Sequence, residues 1–473
     1  MTAKGTTRKH EDSATPVIDS FTNIYFIGIG GIGMSNLARA FLAKKKTVGG
    51  YDRIPSKLSK DLEEEGAIIH YKDDVQLIPS QFLNKLTTLV VYTPAVPSTN
   101  TEFVYFEQNG YTMMKRAQVL GDITKLSNAI CCAGTHGKTT VSSMVAYILR
   151  QSEVDCSAFL GGILKNYKSN LLISKTSEIT VIEADEYDRS FHWLRPWIAI
   201  ITSASPDHLD IYHTETNYLD SFEKFTGLIR ENGYLIMKKD LNITPQSHPS
   251  VKQYSYSLSE GDFHAENVRI GNGELLFDFV YPEGKIKNIE LGVPILINVE
   301  NAVAAAAAAW LSGAQPKEIK MALGGYQGAK RRFDMRYKSD KVVLIDDYAH
   351  HPDELAASIM SIKSLYDNKK ITGIFQPHLY SRTRDFVDEF AKSLSMLDEL
   401  ILLDIYPARE EPIEGISSQL IFDKVTIQNK TLCSKDELLD LLKKKDAEVL
   451  VTLGAGDIET LLPEIEKILR SKE

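Results

Sequence analysis

Cysteine is scarce in this sequence, with four residues in a chain of 473 and no CxxC pair. This excludes a disulfide scaffold, and it leaves no cysteine pair for zinc binding or redox chemistry. Long apolar runs are also missing: the most apolar stretch, 302–311, is mostly alanine and about half as long as a membrane span. The first twenty residues lack the apolar segment of a signal peptide. We therefore expect a soluble, cytoplasmic protein with no membrane partner.

An excess of basic residues is missing too. Lys and Arg number 54 against 63 Asp and Glu, which gives a formal charge of −9. General nucleic-acid binding needs a basic surface, so we expect no nucleic-acid partner. The hydrophobic fraction of 43% and the charged fraction of 25% are typical of a globular chain. At roughly 150 residues per domain, the length corresponds to about three domains.

Short apolar runs alternate with helix-length amphipathic stretches from Asn23 onward. This alternation is typical of parallel sheets with crossover helices, so we predict an α/β fold. The middle of the chain adds a more β-rich portion and an alanine-rich helix that we expect to pack closely against a neighbour. The predicted parts are a flexible tail over 1–20 and three domains over 21–123, 124–333 and 334–473.

A glycine-rich loop lies between the first predicted strand and the first predicted helix. Gly28, Gly30 and Gly33 have the spacing G-x-G-x-x-G, and Asp52 follows near the end of the next predicted strand. Glycines allow backbone N–H groups and a helix N-terminus to approach a diphosphate. The motif predicts a site for a diphosphate nucleotide but does not distinguish NAD, FAD and a nucleotide sugar. A tight turn without a ligand is the simpler alternative.

A second glycine loop, GTHGKTT, follows an apolar strand and precedes an amphipathic helix. Backbone N–H groups of such a loop wrap nucleotide phosphates, Lys138 supplies a charge to the β and γ oxygens, and Thr139 can ligate Mg²⁺. A full Walker loop has glycine where this chain has Cys132, so the motif is a shortened variant. It predicts an ATP site. The loop residues are Gly134, Thr135, His136, Gly137, Lys138, Thr139 and Thr140.

Carboxylates follow the next predicted strand, in ITVIEADEYDRSF. Glu183 comes directly after the apolar run, so we predict that it holds Mg²⁺, a cation that prefers oxygen ligands. For Asp185, Glu186 and Asp188, a solvated or capping role is the favoured interpretation. His208, in PDHLDIY after a further strand, is a candidate metal ligand, although an isolated histidine is more often structural.

The presence of two nucleotide-binding loops in one chain limits the classes of reaction that the protein could catalyse. Hydride transfer has no use for a γ-phosphate cradle, and a simple ATPase needs no second glycine loop. The pair suggests that ATP drives chemistry on a substrate that itself carries a nucleotide. Ligation fits, because the γ-phosphoryl group can activate a carboxylate as an acyl phosphate that an amine displaces. An NAD-dependent oxidoreductase and a non-catalytic nucleotide-binding regulator are the alternatives from other classes.

Motifs along nearly the whole chain resemble those of the Mur ligases of peptidoglycan synthesis. In order they are GIGGIGMSNLA, AGTHGKTT, EADEYDRSF, DHLDIY, RRFD, DDYAHHPDE, FQPHLYSRTRD and GAGDI. The resemblance implies a UDP-binding Rossmann-like N-terminal domain, a central P-loop ATPase domain and a Rossmann-like C-terminal domain. It also implies that ATP and Mg²⁺ support the addition of L-alanine to UDP-N-acetylmuramate through an acyl phosphate. A ligase that joins a preformed tripeptide to the same UDP-sugar is the nearest alternative.

The resemblance also implies roles for individual residues. Those matched to UDP-substrate binding are Gly28, Ile29, Gly30, Gly31, Ile32, Gly33, Met34, Asp52, Thr93 and Ala95. Besides the GTHGKTT loop, those matched to ATP are Asn298 and Asn301 on the adenine side and Asp346 and Asp347 near the nucleotide. Those matched to catalysis are Lys138, Glu183 and His208, the last two at the metal, and Arg331 near the γ-phosphate. Those matched to the amino acid are Tyr348, His350, His378 and Arg382.

Three positions depart from the family pattern. Ile297 stands where a histidine is common, Ser203 where an asparagine is common, and Leu379 where an arginine is common. The last departure leaves the exact amino-acid pocket open. The phosphate loop, Glu183 and the other residues matched to catalysis are all present.

Overall fold

A computed structural model describes residues 17–207, 209–271, 273–408 and 410–472. The candidate metal ligand His208 and residues 1–16 of the predicted tail lie outside the described residues. The last four residues of the predicted tail, Val17–Ser20, form a 3₁₀ turn. The physical reason is apolar packing: Ile18 is fully buried, and the Val17 N–H donates to Asp122 at 2.9 Å.

The first domain is a parallel sheet with the strand order β3-β2-β1-β4-β5. The strands are β1 (Asn23–Ile27), β2 (Thr47–Tyr51), β3 (Ile68–His70), β4 (Thr88–Tyr92) and β5 (Thr112–Lys115). The helices are α1 (Ile32–Ala43), α2 (Lys57–Glu64), α3 (Thr101–Gln108) and α4 (Arg116–Lys125). The order of the strands reverses beside β1, and sheets of this kind bind ligands outside the carboxyl ends at that point. The first glycine loop lies there, so the Rossmann-like prediction is confirmed.

The central domain has a seven-stranded sheet with the order β12-β11-β10-β6-β9-β7-β8, in which β8 is antiparallel to β7. Its strands are β6 (Asn128–Ala133), β7 (Ser157–Leu164), β8 (Ser169–Leu172), β9 (Ile179–Glu183), β10 (Ile198–Ile201), β11 (Tyr234–Lys238) and β12 (Lys252–Tyr256). An antiparallel three-stranded sheet follows, with β13 (His264–Gly271), β14 (Glu274–Tyr281) and β15 (Gly284–Glu290). The helices are α5 (Lys138–Arg150), α6 (Leu209–Tyr212), α7 (Glu215–Thr226), α8 (Leu296–Leu311) and α9 (Pro316–Gly325).

The alanine-rich segment forms α8, which is buried and packs against α5. Every alanine from 302 to 309 that belongs to this run is fully buried. Because alanine has the smallest side chain that still favours a helix, two helix backbones can approach closely here. The close packing places the N-terminal turns of α8 beside the start of α5, where the second glycine loop lies.

The C-terminal domain has a six-stranded sheet with the order β16-β17-β21-β18-β19-β20, in which β16 is antiparallel to β17. The strands are β16 (Asp334–Lys338), β17 (Val343–Asp347), β18 (Ile371–Phe375), β19 (Glu399–Leu402), β20 (Lys430–Leu432) and β21 (Val449–Leu453). The helices are α10 (Pro352–Leu365), α11 (Tyr380–Asp385), α12 (Val387–Leu394), α13 (Gln419–Lys424), α14 (Lys435–Lys443) and α15 (Leu462–Arg470). The apolar pattern predicts the four central strands but misses β16 and β20, since edge strands are only half buried.

Each sheet is built from strands of a single predicted domain. The predicted limit at 123 falls inside α4, which continues to Lys125. Within the described ranges, no helix combines the length and the apolar content needed to cross a bilayer.

A carboxyl group lies buried in the first domain. Glu102, which is fully buried, accepts a hydrogen bond from the Tyr25 hydroxyl at 2.6 Å, and its second oxygen lies 3.3 Å from Nε2 of His70. Burial raises the pKa of Glu102 to about 7 and lowers the pKa of His70. The folded chain therefore favours the protonated form of Glu102.

We expect the variant Glu102→Gln to unfold at a higher temperature than the unsubstituted protein at pH 8, and at a similar temperature at pH 5. The folded chain retains a proton that the unfolded chain releases at lower pH, so the stability from protonated Glu102 falls as pH rises towards 7. Glutamine is neutral throughout. Thermal unfolding followed by circular dichroism from pH 5 to pH 8 measures the difference, with Glu107→Gln on the exposed side of α3 as control. A difference that does not grow with pH contradicts the expectation.

Candidate functional site

The GTHGKTT loop connects β6 to α5 and has two residues in left-handed backbone conformations. Gly134 has φ +141° and Gly137 has φ +88°, a region that favours glycine. A Cβ at Gly134 would lie 2.2 Å from Oγ1 of Thr202, so the loop lies directly on the residue that follows β10. Thr135 donates a hydrogen bond to the Ser205 carbonyl at 2.7 Å, and Thr140 lies in the first turn of α5. The loop thus surrounds the N-terminus of α5, a favourable position for phosphate.

The ammonium group of Lys138 has three acceptors. They are the carbonyls of Gly134 at 2.6 Å and Thr135 at 3.2 Å, and Oε1 of Glu186 at 2.8 Å. Glu186 is only 2% exposed, so its interpretation as a solvated or capping carboxylate is wrong. The sequence carries no sign of this pairing, because Lys138 and Glu186 lie 48 positions apart in the chain.

Two of the predicted magnesium ligands lie together. The Thr139 hydroxyl donates to Oε1 of Glu183 at 2.9 Å, and the Gly161 N–H donates to Oε2 of Glu183 at 2.9 Å. The third predicted ligand, His208, is outside the described residues. Across the part of the chain that the structure describes, no group of three or more His, Cys, Asp or Glu side chains has an arrangement that could hold a metal ion.

Asn298 and Asn301, predicted on the adenine side, lie against the phosphate loop. Nδ2 of Asn301 donates to Oδ1 of Asn298 at 3.1 Å, and a Cβ at Gly137 would lie 3.1 Å from Oδ1 of Asn301. Nδ2 of Asn298 in turn lies 3.4 Å from the carbonyl oxygen of Val293. Val293 lines a cavity of about 300 Å³ between the central and C-terminal domains. Its other lining residues are Lys165, Gly292, Pro294, Gln327, Phe333 and Met335.

Arg331 joins the C-terminal domain at the carboxyl ends of β17 and β21. Its guanidinium donates to the carbonyls of Gly454 at 2.6 Å and Gly456 at 3.2 Å, and it lies 3.5 Å from Oδ2 of Asp346. The same group lies 4.9 Å from the centre of the Tyr348 ring. Burial raises the pKa of Asp346 to about 6, although the nearby guanidinium opposes that shift. Arg331 and Asp346 therefore form an ion pair at this strand end.

The neighbouring Asp347 is held by the next helix. Its Oδ2 accepts a hydrogen bond from the Ser358 hydroxyl on α10 at 2.7 Å. Burial raises the pKa of Asp347 above its ordinary value. The two predicted nucleotide carboxylates thus lie at the same strand end but have different partners.

Three of the four residues matched to the amino acid form a cluster of rings. The ring centres of Tyr348 and His350 lie 5.1 Å apart, and those of His350 and His378 lie 6.3 Å apart. Burial lowers the pKa of His350, and the positive charge of Arg382 on α11 adds to that effect. Between His378 and α11, Leu379 has φ +71°, a strained conformation for a residue other than glycine.

Glu354 links this ring cluster to the phosphate loop, and the sequence analysis missed it. Its Oε1 lies 3.6 Å from Nδ1 of His136, and its Oε2 accepts a hydrogen bond from the backbone N–H of His350 at 3.1 Å. Burial opposes the charge of Glu354, but the nearby rings of His136 and His350 hold its pKa below the ordinary range. The acidic residue at the start of α10 resembles an ordinary helix-capping group, which is why its sequence position does not reveal this link.

The front glycine loop has its predicted neighbours around it. The Gly30 N–H donates to Oδ2 of Asp52 at 2.7 Å, and a Cβ at Gly28 would lie 2.9 Å from Cγ2 of Thr93. The Ala95 N–H lies 3.5 Å from Oγ1 of Thr93. Gly31, which precedes α1, provides no side-chain cap for the first N–H groups of this helix.

The remaining residues of that loop differ in exposure. Ile29 and Met34 are buried, whereas Ile32 is 60% exposed. A Cβ at Gly33 would lie 2.8 Å from Nη1 of Arg116, a cation that the sequence analysis missed. Arg116 also lies 3.9 Å from Asp185, in the loop after β9. The front loop and the carboxylates after β9 are therefore neighbours in space.

Models of three protein domains match this chain. They are the Mur ligase family catalytic domain over 23–127, the Mur ligase middle domain over 132–309 and the Mur ligase glutamate ligase domain over 331–456. A UDP-N-acetylmuramate–L-alanine ligase of Parabacteroides distasonis is 60% identical over 453 residues, which cover 96% of this chain and 98% of that one. The ligase of the same name from Cytophaga hutchinsonii is 44% identical, covering 95% of this chain and 97% of that one.

Solved structures agree with these matches. A UDP-N-acetylmuramate–alanine ligase from Thermotoga maritima matches with a TM-score of 0.78 at 26% identity, covering 95% of this chain and 100% of that one. A murein peptide ligase from Psychrobacter arcticus has the same fold, with a TM-score of 0.63 at 22% identity over 95% of this chain and 98% of that one. By its domain matches and its relatives over nearly the full length, this chain belongs to the Mur ligase family.

Proposed function

We propose that this chain is an ATP-dependent ligase that joins L-alanine to UDP-N-acetylmuramate in cytoplasmic peptidoglycan precursor synthesis. The observation that carries the proposal is the match over nearly the whole chain to relatives of that name, one of which is 60% identical. The site supports it, because a phosphate loop with its lysine lies near a second glycine loop suited to a diphosphate. The products are UDP-N-acetylmuramoyl-L-alanine, ADP and phosphate.

We assign ATP to the junction of the central and C-terminal domains. The GTHGKTT loop takes the phosphates, and the contacts from Gly137 through Asn301 and Asn298 to Val293 lead to the 300 Å³ cavity, which takes the adenine. The cavity is lined by apolar side chains together with Lys165, and ligand pockets are typically apolar with a few polar groups. We propose that the UDP-substrate domain spans 21–123, the ATP domain spans 124–333 and the C-terminal domain spans 334–473.

The residues present fit a magnesium ion beside the phosphate loop. A hydroxyl oxygen on Thr139 and a carboxylate oxygen on Glu183 lie 2.9 Å apart, and hard oxygen donors of this kind suit Mg²⁺. We propose that Thr139, Glu183 and His208 hold magnesium. When bound, Mg²⁺ neutralises charge on the phosphoryl oxygens.

The first chemical step transfers the γ-phosphoryl group to the carboxylate of UDP-N-acetylmuramate. The carboxylate oxygen forms a bond to phosphorus, the bond to the ADP oxygen breaks, and an acyl phosphate results. Charge spreads over the phosphoryl oxygens during this transfer, and the cations of Lys138 and Arg331 stabilise it. Arg331 is fixed for this task by the carbonyls of Gly454 and Gly456.

In the second step the amine of L-alanine forms a bond to the acyl carbon, and phosphate leaves. The amine must lose a proton, and His350 is suited to accept it because burial lowers its pKa and favours the neutral ring. Nδ1 of His350 lies 3.0 Å from the Tyr348 carbonyl oxygen. A hydrogen on Nδ1 would satisfy that carbonyl and leave Nε2 as the acceptor. We assign the guanidinium of Arg382 to the alanine carboxylate.

A phosphate-release assay tests the proposal directly. We expect release that requires ATP, UDP-N-acetylmuramate and L-alanine together. L-Alanyl-γ-D-glutamyl-meso-diaminopimelate in place of alanine should not support release, and NADH should show no change in absorbance. Phosphate release with the tripeptide but not with L-alanine overturns the proposal, as does the absence of release with any amine donor.

The variant Lys138→Ala should lose about 3–4 kcal/mol of transition-state stabilisation, because it removes a fixed charge from the phosphoryl oxygens. Phosphate release at saturating ATP and Mg²⁺ measures this loss. The exposed Lys317→Ala on α9 is the control and should turn over at the normal rate. Near-normal turnover by Lys138→Ala would show that the assignment of this lysine is wrong.

The variant Gly161→Ala should lower turnover about 10- to 100-fold, since it disturbs a group that orients a metal ligand. Its Cβ would lie 2.6 Å from the carboxylate carbon of Glu183, which must then move away from Thr139. The unfolding temperature should change little, because only the end of a flexible side chain is displaced. Gly324→Ala, where the nearest atom to the new Cβ is 3.6 Å away, is the control. Full activity of Gly161→Ala contradicts the placement of Glu183.

A further inference from the structure

We propose that Glu186 is a positioning residue that competes with nucleotide phosphates for Lys138. ATP then binds only by drawing the lysine away from a buried carboxylate. This inference rests on the proposed function, since it takes the GTHGKTT loop as the ATP site. It adds a role for an acidic residue that the reaction itself does not require.

The hydrogen bonds of Lys138 are the first support. An ammonium group has three N–H donors, and all three are matched by Gly134 O, Thr135 O and Oε1 of Glu186. A β- or γ-phosphate oxygen can be reached only if at least one of these contacts is given up. Glu186 is the anion among the three partners, so its contact is the strongest that phosphate must replace.

The second support is that Glu186 is held in place and cannot easily follow the lysine. The Tyr212 hydroxyl donates to its backbone carbonyl, and the Arg189 guanidinium lies 4.7 Å from the centre of the Tyr212 ring. Asp188 and Arg189, which follow it, have φ of +51° and +54°. Such left-handed conformations persist in residues other than glycine when the surrounding structure determines them.

The third support is the environment of the Glu186 carboxylate. The residue is 2% exposed, and its Oε2 is buried with no hydrogen-bond partner among the described residues. The carboxylate charge therefore depends on Lys138 for its compensation, and a buried charge that loses its partner is costly. ATP and ADP draw Lys138 away from Glu186, so this free-energy cost weakens their binding. AMP has no β- or γ-phosphate and leaves the pair intact.

The variant Glu186→Gln tests the inference, because glutamine keeps the shape and removes the charge. We expect ATP and ADP to bind about tenfold more tightly, as the loss of one charge-assisted contact predicts, while AMP binds as before. Isothermal titration calorimetry of the full-length protein with Mg²⁺ and each nucleotide measures the three affinities. Asp188→Asn removes an exposed carboxylate from the same loop and controls for general electrostatics; it should leave all three affinities unchanged.

A double-mutant cycle tests whether the effect of Glu186→Gln on ATP affinity acts through Lys138. In a Lys138→Ala background, Glu186→Gln should no longer tighten ATP binding, since the competition has been removed. If Glu186→Gln does not fold, Glu186→Met makes the same comparison. ATP binding that is unchanged or weaker in the variant, or an equal change for AMP, overturns the inference even if the parent protein is an active ligase. A parent protein that binds no ATP overturns this inference and the proposed function together.

Discussion

The fixed N-terminus of α5 is the constraint on which the rest of the site depends. Phosphate binding needs backbone N–H groups that point to one place, and only a loop with glycine at Gly134 and Gly137 can turn tightly enough to supply them. That loop is stable because its neighbours are strand ends of the same parallel sheet. Glu183 ends β9 and Thr202 follows β10, on either side of β6. Parallel pairing thus places the phosphate loop, the carboxylate of Glu183 and the hydroxyl of Thr202 at one edge of the sheet.

Contacts between domains extend this site. Arg116 and Asp185 join the first domain to the central one at 3.9 Å. Lys165 donates to Asp334 at 2.5 Å and joins the central domain to the C-terminal one. Such junctions would bring together the ATP, UDP-sugar and amino-acid sites that we propose for the different domains.

Much of the fold was predictable from local patterns. Buried central strands such as β17 and β21 are continuous apolar runs, and both glycine loops stand between a strand and a helix as predicted. The edge strand β20 and the 3₁₀ turn at Val17–Ser20 were not predictable in this way, because their burial depends on distant neighbours. In the site, the proximity of Thr139 to Glu183 agrees with the predicted metal pair. The roles of these residues, and the placement of His208, stay predictions.

By itself, the sequence determined which residue types could carry phosphate chemistry and that the chain has the motifs of one ligase family. Those properties are local, since a glycine loop or an acidic strand end is defined by neighbours in the chain. Only the tertiary structure decided that Glu186 pairs with Lys138 and that Glu354 lies between His136 and His350. Ion pairs of this kind join residues far apart in sequence, and burial determines their strength. A carboxylate on a solvated loop and one that neutralises a buried lysine look alike until the chain has folded.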